Sequence, residues 1–178
     1  MYIIFSYLSL KKNFEVTMES KKIDVIDRQL IKLLSEDGRI PAKELAKRLE
    51  VSAPTVRSRL SRLIKHGILK VAGLLDPFKV EDILVAIIAI RVDDNAKMGK
   101  VIDQLMEFKN VHWAVAVTGR YDIFAEVIIT EGIQWMFKFY EEEMSKLNGI
   151  RHAESFMVTH TRRKWTQLPP NLKGWMPE

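Results

Sequence analysis

SAPTVRSRLSRLIKHG, residues 52–67, is the stretch on which the fold turns. Val56, Leu60, Leu63 and Ile64 recur at the spacing of one buried helical stripe, while Arg57, Arg59, Arg62 and Lys65 spread over the rest of the surface with no acid among them. Ser52 suits the N-cap, Pro54 the first turn, and Gly67 a left-handed stop. Advancing about 100° per residue from Ala53 centres the apolar stripe between Val56 and Leu60. Pro54, Ser58, Ser61, Arg62 and Lys65 then point away from it, and Arg57 and Arg59 flank it. Such a small, polar, cationic face fits the roughly 12 Å major groove of B-DNA, where short side chains let the backbone approach and arginines reach bases or phosphates. The alternative is a solvated helix face whose arginines do nothing specific.

Two helices are expected upstream. Ile26, Leu30, Ile31, Leu33 and Leu34 mark an amphipathic helix over 24–36, stopped by Asp37-Gly38. Pro41 suits the first turn of a second helix carrying Leu45, Ala46 and Leu49. Three helices with a tight second connection make a helix-turn-helix unit, and ILKVAGLL (68–75) reads as a small hairpin or wing. Charge agrees. From Glu19 to Lys70 thirteen Lys and Arg face seven Asp and Glu, a surplus of six, whereas the whole chain of 178 residues carries only +5.

After Pro77 the pattern changes. LVAIIAIRV (84–92) reads as a strand covered on both faces, 95–108 as a helix, and 111–118 and 121–129 as strands around a Gly119-Arg120 turn. Apolar residues from Ile133 to Leu147 predict one continuous helix, and 153–160 a last strand. The order β-α-β-β-α-β is the split ferredoxin-like unit. Its strands carry apolar residues on both faces, so a second copy is expected to cover the face the helices leave bare. The expected class is α+β: an N-terminal extension (1–20), a winged helix-turn-helix domain (21–75), a hinge (76–83), a ferredoxin-like domain (84–164) and a C-terminal arm (165–178). Because Met18 follows the extension directly, residues 1–17 read as the product of an upstream start codon.

Hydrophobic residues at 47% and charged residues at 29% are the composition of a soluble globular protein. The absence of cysteine excludes disulfides, thiolate zinc sites and thiol catalysis, and makes a cytoplasmic location the expectation. The apolar run near the N-terminus lacks a basic leader and a cleavage site and is too short to span a bilayer, so no membrane is expected. His66, His112, His152 and His160 lack metal-ligand spacing, and no phosphate loop, dinucleotide fingerprint or nucleophile elbow occurs. Neither a metal, a cofactor nor a catalytic residue is expected.

IDRQLIKLLSEDGRIPAKELAKRL, VSAPTVRSRLSRLIKHGIL, LLDP and VTGRYDIF, in this order and spacing, resemble the Lrp/AsnC (feast/famine) family of transcriptional regulators over about Ile23 to Lys164. The resemblance implies a winged-helix DNA-binding domain joined to a ferredoxin-like regulatory domain, of the kind called RAM, that dimerises by its sheet and often assembles into octamers. It implies a duplex operator read by the third helix, with Lys43 of the second helix and Lys70 of the wing on phosphates. The expected DNA-binding set is Lys43, Ser52, Pro54, Thr55, Arg57, Ser58, Arg59, Arg62, Lys65 and Lys70.

Family members commonly bind an amino acid where dimers meet, which places the effector loop at Gly119, Arg120, Tyr121 and Asp122. The chemistry agrees, since glycine opens backbone N–H groups to a carboxylate, Arg120 can pair with it, and Asp122 can take an ammonium. Glu126 shares a strand face with Asp122 and either lines the same site or pairs with a cation, and Thr159 is a weaker addition. A plain hairpin turn with surface charges is the alternative. A second functional class stays open, because haem-pathway (siroheme-type) decarboxylases resemble the same two-domain family, and His112 or His152 would then serve the reaction.

Overall fold

Asp24 opens the first helix by closing a reciprocal box with Asp27: Asp27 N–H donates to Asp24 Oδ1 at 2.9 Å, and Asp24 N–H to Asp27 Oδ2 at 3.2 Å. The computed structural model describes residues 22–94, 97–162, 165–169 and 172. The extension at 1–20 lies outside them. Helix α1 spans Val25–Glu36, α2 Ala42–Arg48 and α3 Ala53–Lys65. Pro41 stands one residue before α2 rather than in its first turn. Thr55 N–H donates to the Ser52 hydroxyl at 3.2 Å, capping α3, and Gly67 ends it at φ +65°. Leu30, Leu45, Val56 and Leu63 are sealed at the centre of the three helices. Ile64, read from its spacing as part of that stripe, is instead 50% exposed.

The wing does not form as a hairpin. The N–H groups of Ile68 and Leu69 both donate to the Leu63 carbonyl, so the cap of α3 uses the residues that would begin the first arm. Residues 69–74 form no strand pairing among the described residues, and Leu75 makes its two backbone hydrogen bonds with Thr166. The chain divides into two compact units between Gly73 and Leu74.

The second unit holds strands β1 (Leu84–Val92), β2 (Val111–Ala116), β3 (Ile123–Ile129) and β4 (Ile150–Met157) in one antiparallel sheet of order β2-β3-β1-β4. Helix α4 (Met98–Glu107) joins β1 to β2, and α5 (Gln134–Lys138) follows β3. The single helix expected over 133–147 is broken: α5 opens into a π-helical turn at Phe139–Glu143 and tightens to a 3-10 turn at Met144–Lys146. Strand β4 starts three residues earlier than its expected span, directly after the Asn148-Gly149 turn.

Register sorts the side chains into two faces. Ile88, Ile90, Ile123, Ala125 and Val127 lie on one face and are all inaccessible; Ser155 shares it and meets Tyr140 beyond α5 at 2.6 Å. The other face carries Val85, Ile87, Trp113, Phe124, Glu126, Ile128 and Phe156. Its Val85 and Ile128 end is covered within the chain by Leu75, Val80, Leu168 and Leu172. The segments expected as a hinge and an arm therefore pack on the sheet domain. Toward the middle the face stays open, with Val115 44% and Phe156 47% exposed. No described helix is long and apolar enough to cross a membrane.

Candidate nucleic-acid interface and effector loop

The cap of α1 reaches α3. Asp27 is inaccessible to solvent, and its two carboxylate oxygens take Arg59 Nη1 at 2.9 Å and Arg62 Nη2 at 2.6 Å. Arg59 Nη1 also donates to Asp24 Oδ2 at 2.6 Å, and its side chain is 22% exposed. Two of the four cations read as unpaired on α3 are thus tied to α1. The reason lies outside the local sequence, because Asp24 and Asp27 sit on another helix more than thirty residues away. Arg57 and Lys65 are exposed and make no ion pair among the described residues.

Ser52, Pro54, Ser58, Arg62 and Lys65 are also exposed, Thr55 is half-buried, and Lys43 and Lys70 are exposed on α2 and on the irregular segment after α3. A shallow depression on α3 is lined by Pro54, Thr55, Ser58, Arg59 and Arg62, with Asp24 at its edge. The helix-turn-helix thus presents a small, hydroxyl-rich, acid-free first turn with Arg57 beside it, backed by two arginines held in fixed orientation. An acid holding two guanidinium groups from inside orients them without occupying all their donors.

Charge pairing decides the titration of these groups. Burial pushes the Asp27 carboxyl up, but hydrogen bonds from Arg62, Arg59 and the Asp24 backbone outweigh it and leave the group below its ordinary value. Asp24 is lowered by the Asp27 N–H and by Arg59. A carboxylate lowered by folding stabilises fully above its unfolded value of about 3.9 and loses that contribution as pH falls through the folded one. The tie between α1 and α3 therefore holds at neutral pH and fails only below about pH 4. Asp27→Asn is expected to lower stability by about 2 kcal/mol at pH 7 and to flatten the acid limb of a urea-melt series between about pH 5 and 2. An acid limb like the wild type's would remove Asp27 from this role.

The loop after β2 is only partly assembled as expected. Gly119 adopts φ +140° and is exposed, and the Arg120 guanidinium lies 5.8 Å from the Tyr121 ring centre. Tyr121 donates to Glu154 Oε2 at 2.6 Å, and Glu154 Oε1 meets His152 Nε2 at 2.8 Å. These two bonds hold the Glu154 carboxyl below its usual value, and Glu154 in turn raises the Tyr121 phenol. Asp122 is committed to the backbone: its Oδ2 accepts Val92 N–H at 2.9 Å, where β1 leaves regular register with β4.

Glu126 and Thr159 do not join this loop within one chain. Glu126 is buried in the open sheet face and bonds His112 Nδ1 at 2.9 Å. Thr159 lies beyond β4 rather than on it. Val158 N–H bonds Val85 O while Asp122 N–H bonds Ile90 O, five residues along β1, which separates the two ends by roughly 17 Å. Sequence reasoning missed Asp24, Asp27, Glu154 and the His112 pairing. Only Asp24 and Asp27 carried a local signal, as acids three apart opening an apolar run.

Among the described residues no group of three or more His, Asp or Glu is placed to hold a metal. Residues 23–64 match the model of the AsnC-type helix-turn-helix domain, and residues 85–168 that of the Lrp/AsnC ligand binding domain. An HTH-type transcriptional regulator of Pyrococcus horikoshii is 38% identical over 145 residues, 81% of this chain and 90% of that protein. Among solved structures, the leucine response regulatory protein of Mycobacterium tuberculosis aligns with TM-score 0.70 and 26% identity over 83% of this chain and 100% of its own. A transcriptional regulator of Neisseria meningitidis, solved as a complex with L-Met, aligns with TM-score 0.65 and 25% identity over 84% of this chain and 98% of its own. None of these matches supports the decarboxylase reading. The acid-free third helix, the sheet of order β2-β3-β1-β4 and both family matches agree: the chain belongs to the Lrp/AsnC family of DNA-binding transcriptional regulators.

Proposed function

We propose that this regulator works in the cytoplasm without catalysing a reaction, as a homodimer or a multiple of dimers such as an octamer. It grips a roughly palindromic duplex operator and responds to a small amino acid. The observation that carries the DNA reading is the outer face of α3, where Ser52, Pro54, Arg57, Ser58 and Lys65 are exposed with no carboxylate on the helix. Arg57 and the first-turn hydroxyls read base edges, Lys65, Lys43 and Lys70 meet phosphates, and Arg59 and Arg62 contribute donors from their Asp27 mount.

Two-fold pairing follows from the open sheet face. Ile87, Trp113, Val115, Phe124 and Phe156 form an apolar patch interrupted by the buried Glu126 with its partner His112 and bordered by Glu154, and a second copy covers it at roughly 25 cal/mol per Å² before association costs. The effector reading rests on Gly119 and Arg120, exposed and available to a carboxylate, with Tyr121 beside them. The L-Met in the Neisseria relative supports an amino acid as the class of ligand.

The test starts from duplexes selected from a random pool and titrates the best in mobility-shift assays at several salt concentrations, with and without each amino acid. Light scattering reports the mass in parallel. Affinity is expected to fall steeply with salt, by a slope of about 0.9 per phosphate contacted, and at least one amino acid is expected to shift it. A monomer at micromolar concentration removes the pairing, salt-independent affinity removes the groove reading, and indifference to all amino acids removes the effector.

A further inference from the structure

An arginine has five N–H donors, and most of those on Arg59 are unavailable to DNA. Its Nη1 donates to Asp24 Oδ2 at 2.6 Å and to Asp27 Oδ1 at 2.9 Å, and its Nε is buried with no acceptor among the described residues. Only Nη2 is left for an outside acceptor. Arg62 is less committed, with one bond from Nη2 to Asp27 Oδ2 and a side chain 46% exposed against 22% for Arg59. Both acids are held below their ordinary values and are ionised at neutral pH, so the two arginines and two acids together carry no net charge. Of the four cations on α3, Arg57 and Lys65 alone add to the field that draws a duplex in.

The two acids are not equivalent. Asp27 is inaccessible, whereas the Asp24 side chain is 53% exposed and borders the depression lined by Pro54, Thr55, Ser58, Arg59 and Arg62. Capping α1 does not require its charge, because asparagine and serine cap a helix as well as aspartate does. We propose that Asp24 is a specificity-determining residue for DNA: its carboxylate withholds Arg59 from phosphates and repels a backbone that enters the depression out of register. The inference rests on the groove reading of α3. Phosphates are the same on every duplex, so each cation free to meet one raises affinity for all sequences alike. Discrimination comes from donors fixed against base edges. By neutralising Arg59 and occupying its Nη1, Asp24 takes it out of the first kind of contact and holds Nη2 in one orientation for the second. A phosphate that a misplaced duplex brings into the depression meets this carboxylate as well as the arginines, a cost that a correctly seated base edge does not incur.

The test compares Asp24→Asn with the parent chain in mobility shifts at several salt concentrations. Two duplexes of equal length are used, the best one selected from a random pool and a shuffled version of it. On the shuffled duplex the variant is expected to bind about tenfold tighter, with a salt slope steeper by about 0.9. On the selected duplex affinity should stay within about twofold, so discrimination falls about fivefold or more. Asp24→Ser, which keeps a cap but cannot reach the guanidinium, should shift discrimination the same way. A partly unfolded variant loses the same fraction of both affinities, so their ratio reports the interface and not the stability of α1. Unchanged discrimination in both variants, while Arg57→Gln weakens binding, would overturn this assignment alone. Equal gains on the two duplexes would reduce Asp24 to a general charge and overturn it too. Arg57→Gln without effect would remove the groove reading and this inference with it.

Discussion

Arg57→Glu is expected to weaken duplex binding about 100-fold while leaving the melting temperature unchanged. Arg57 is exposed on α3, is not part of the sealed cluster of Leu30, Leu45, Val56 and Leu63, and makes no ion pair among the described residues, so folding loses nothing when it changes. Binding loses a cation at the groove and gains a repelled carboxylate on a helix that has no other acid. Arg57→Gln separates the two effects: it removes only the attraction, worth about tenfold, and it should reduce the salt slope by about 1. Unchanged affinity of Arg57→Glu in the mobility shift would mean that the outer face of α3 does not meet DNA. Arg59→Ala makes the contrast, because it also strips Asp24 and Asp27 of a partner, and its binding defect should come with a lower melting temperature.

Leu63→Ala should cost the first unit about 3 kcal/mol. Leu63 has no exposed surface, packs with three other sealed residues, and offers its carbonyl to both Ile68 and Leu69 at the exit of α3. A unit of about 50 described residues holds only a few kcal/mol in reserve, so the substitution removes much of its stability. Hydrogen exchange provides the measurement: amides of α1, α2 and α3 should lose protection while those of β1, β3 and β4 keep theirs, since every residue of this cluster precedes Gly73. Equal loss in both units would mean that the two fold as one cooperative body.

Whatever depended on neighbours in the chain was legible. The nine aliphatic-rich residues of β1 appear with their expected ends, α3 starts at its expected cap Ser52, and α1 fills its expected span but for Asp24, which caps it, because caps and periodicity act over three or four residues. Order and antiparallel pairing of the strands followed from the alternation of elements. The errors have no single source. The wing gave way to the cap of α3 and to the pairing of Leu75 with Thr166, and the long helix after β3 gave way to a π turn. Thr159 passed the end of β4 because that strand begins at the Asn148-Gly149 turn.

By itself, then, the sequence determined the kind of protein this is: a cationic helix-turn-helix ahead of a two-helix, four-stranded sheet, since periodicity, caps and local charge are properties of short segments. Tertiary structure alone decided which charges remain available. Asp27 lies 32 residues before Arg59 and 35 before Arg62, and only the packing of α1 on α3 brings its carboxylate between their guanidinium groups. Packing likewise put Leu168 over Ile128 and His112 beside Glu126, dividing the sheet's second face into a part the chain covers and a part left open. The physical reason is the same in each case. A charge or an apolar face is compensated by whatever the fold brings within a few ångströms, and that neighbour is not encoded in the residues next to it in the chain.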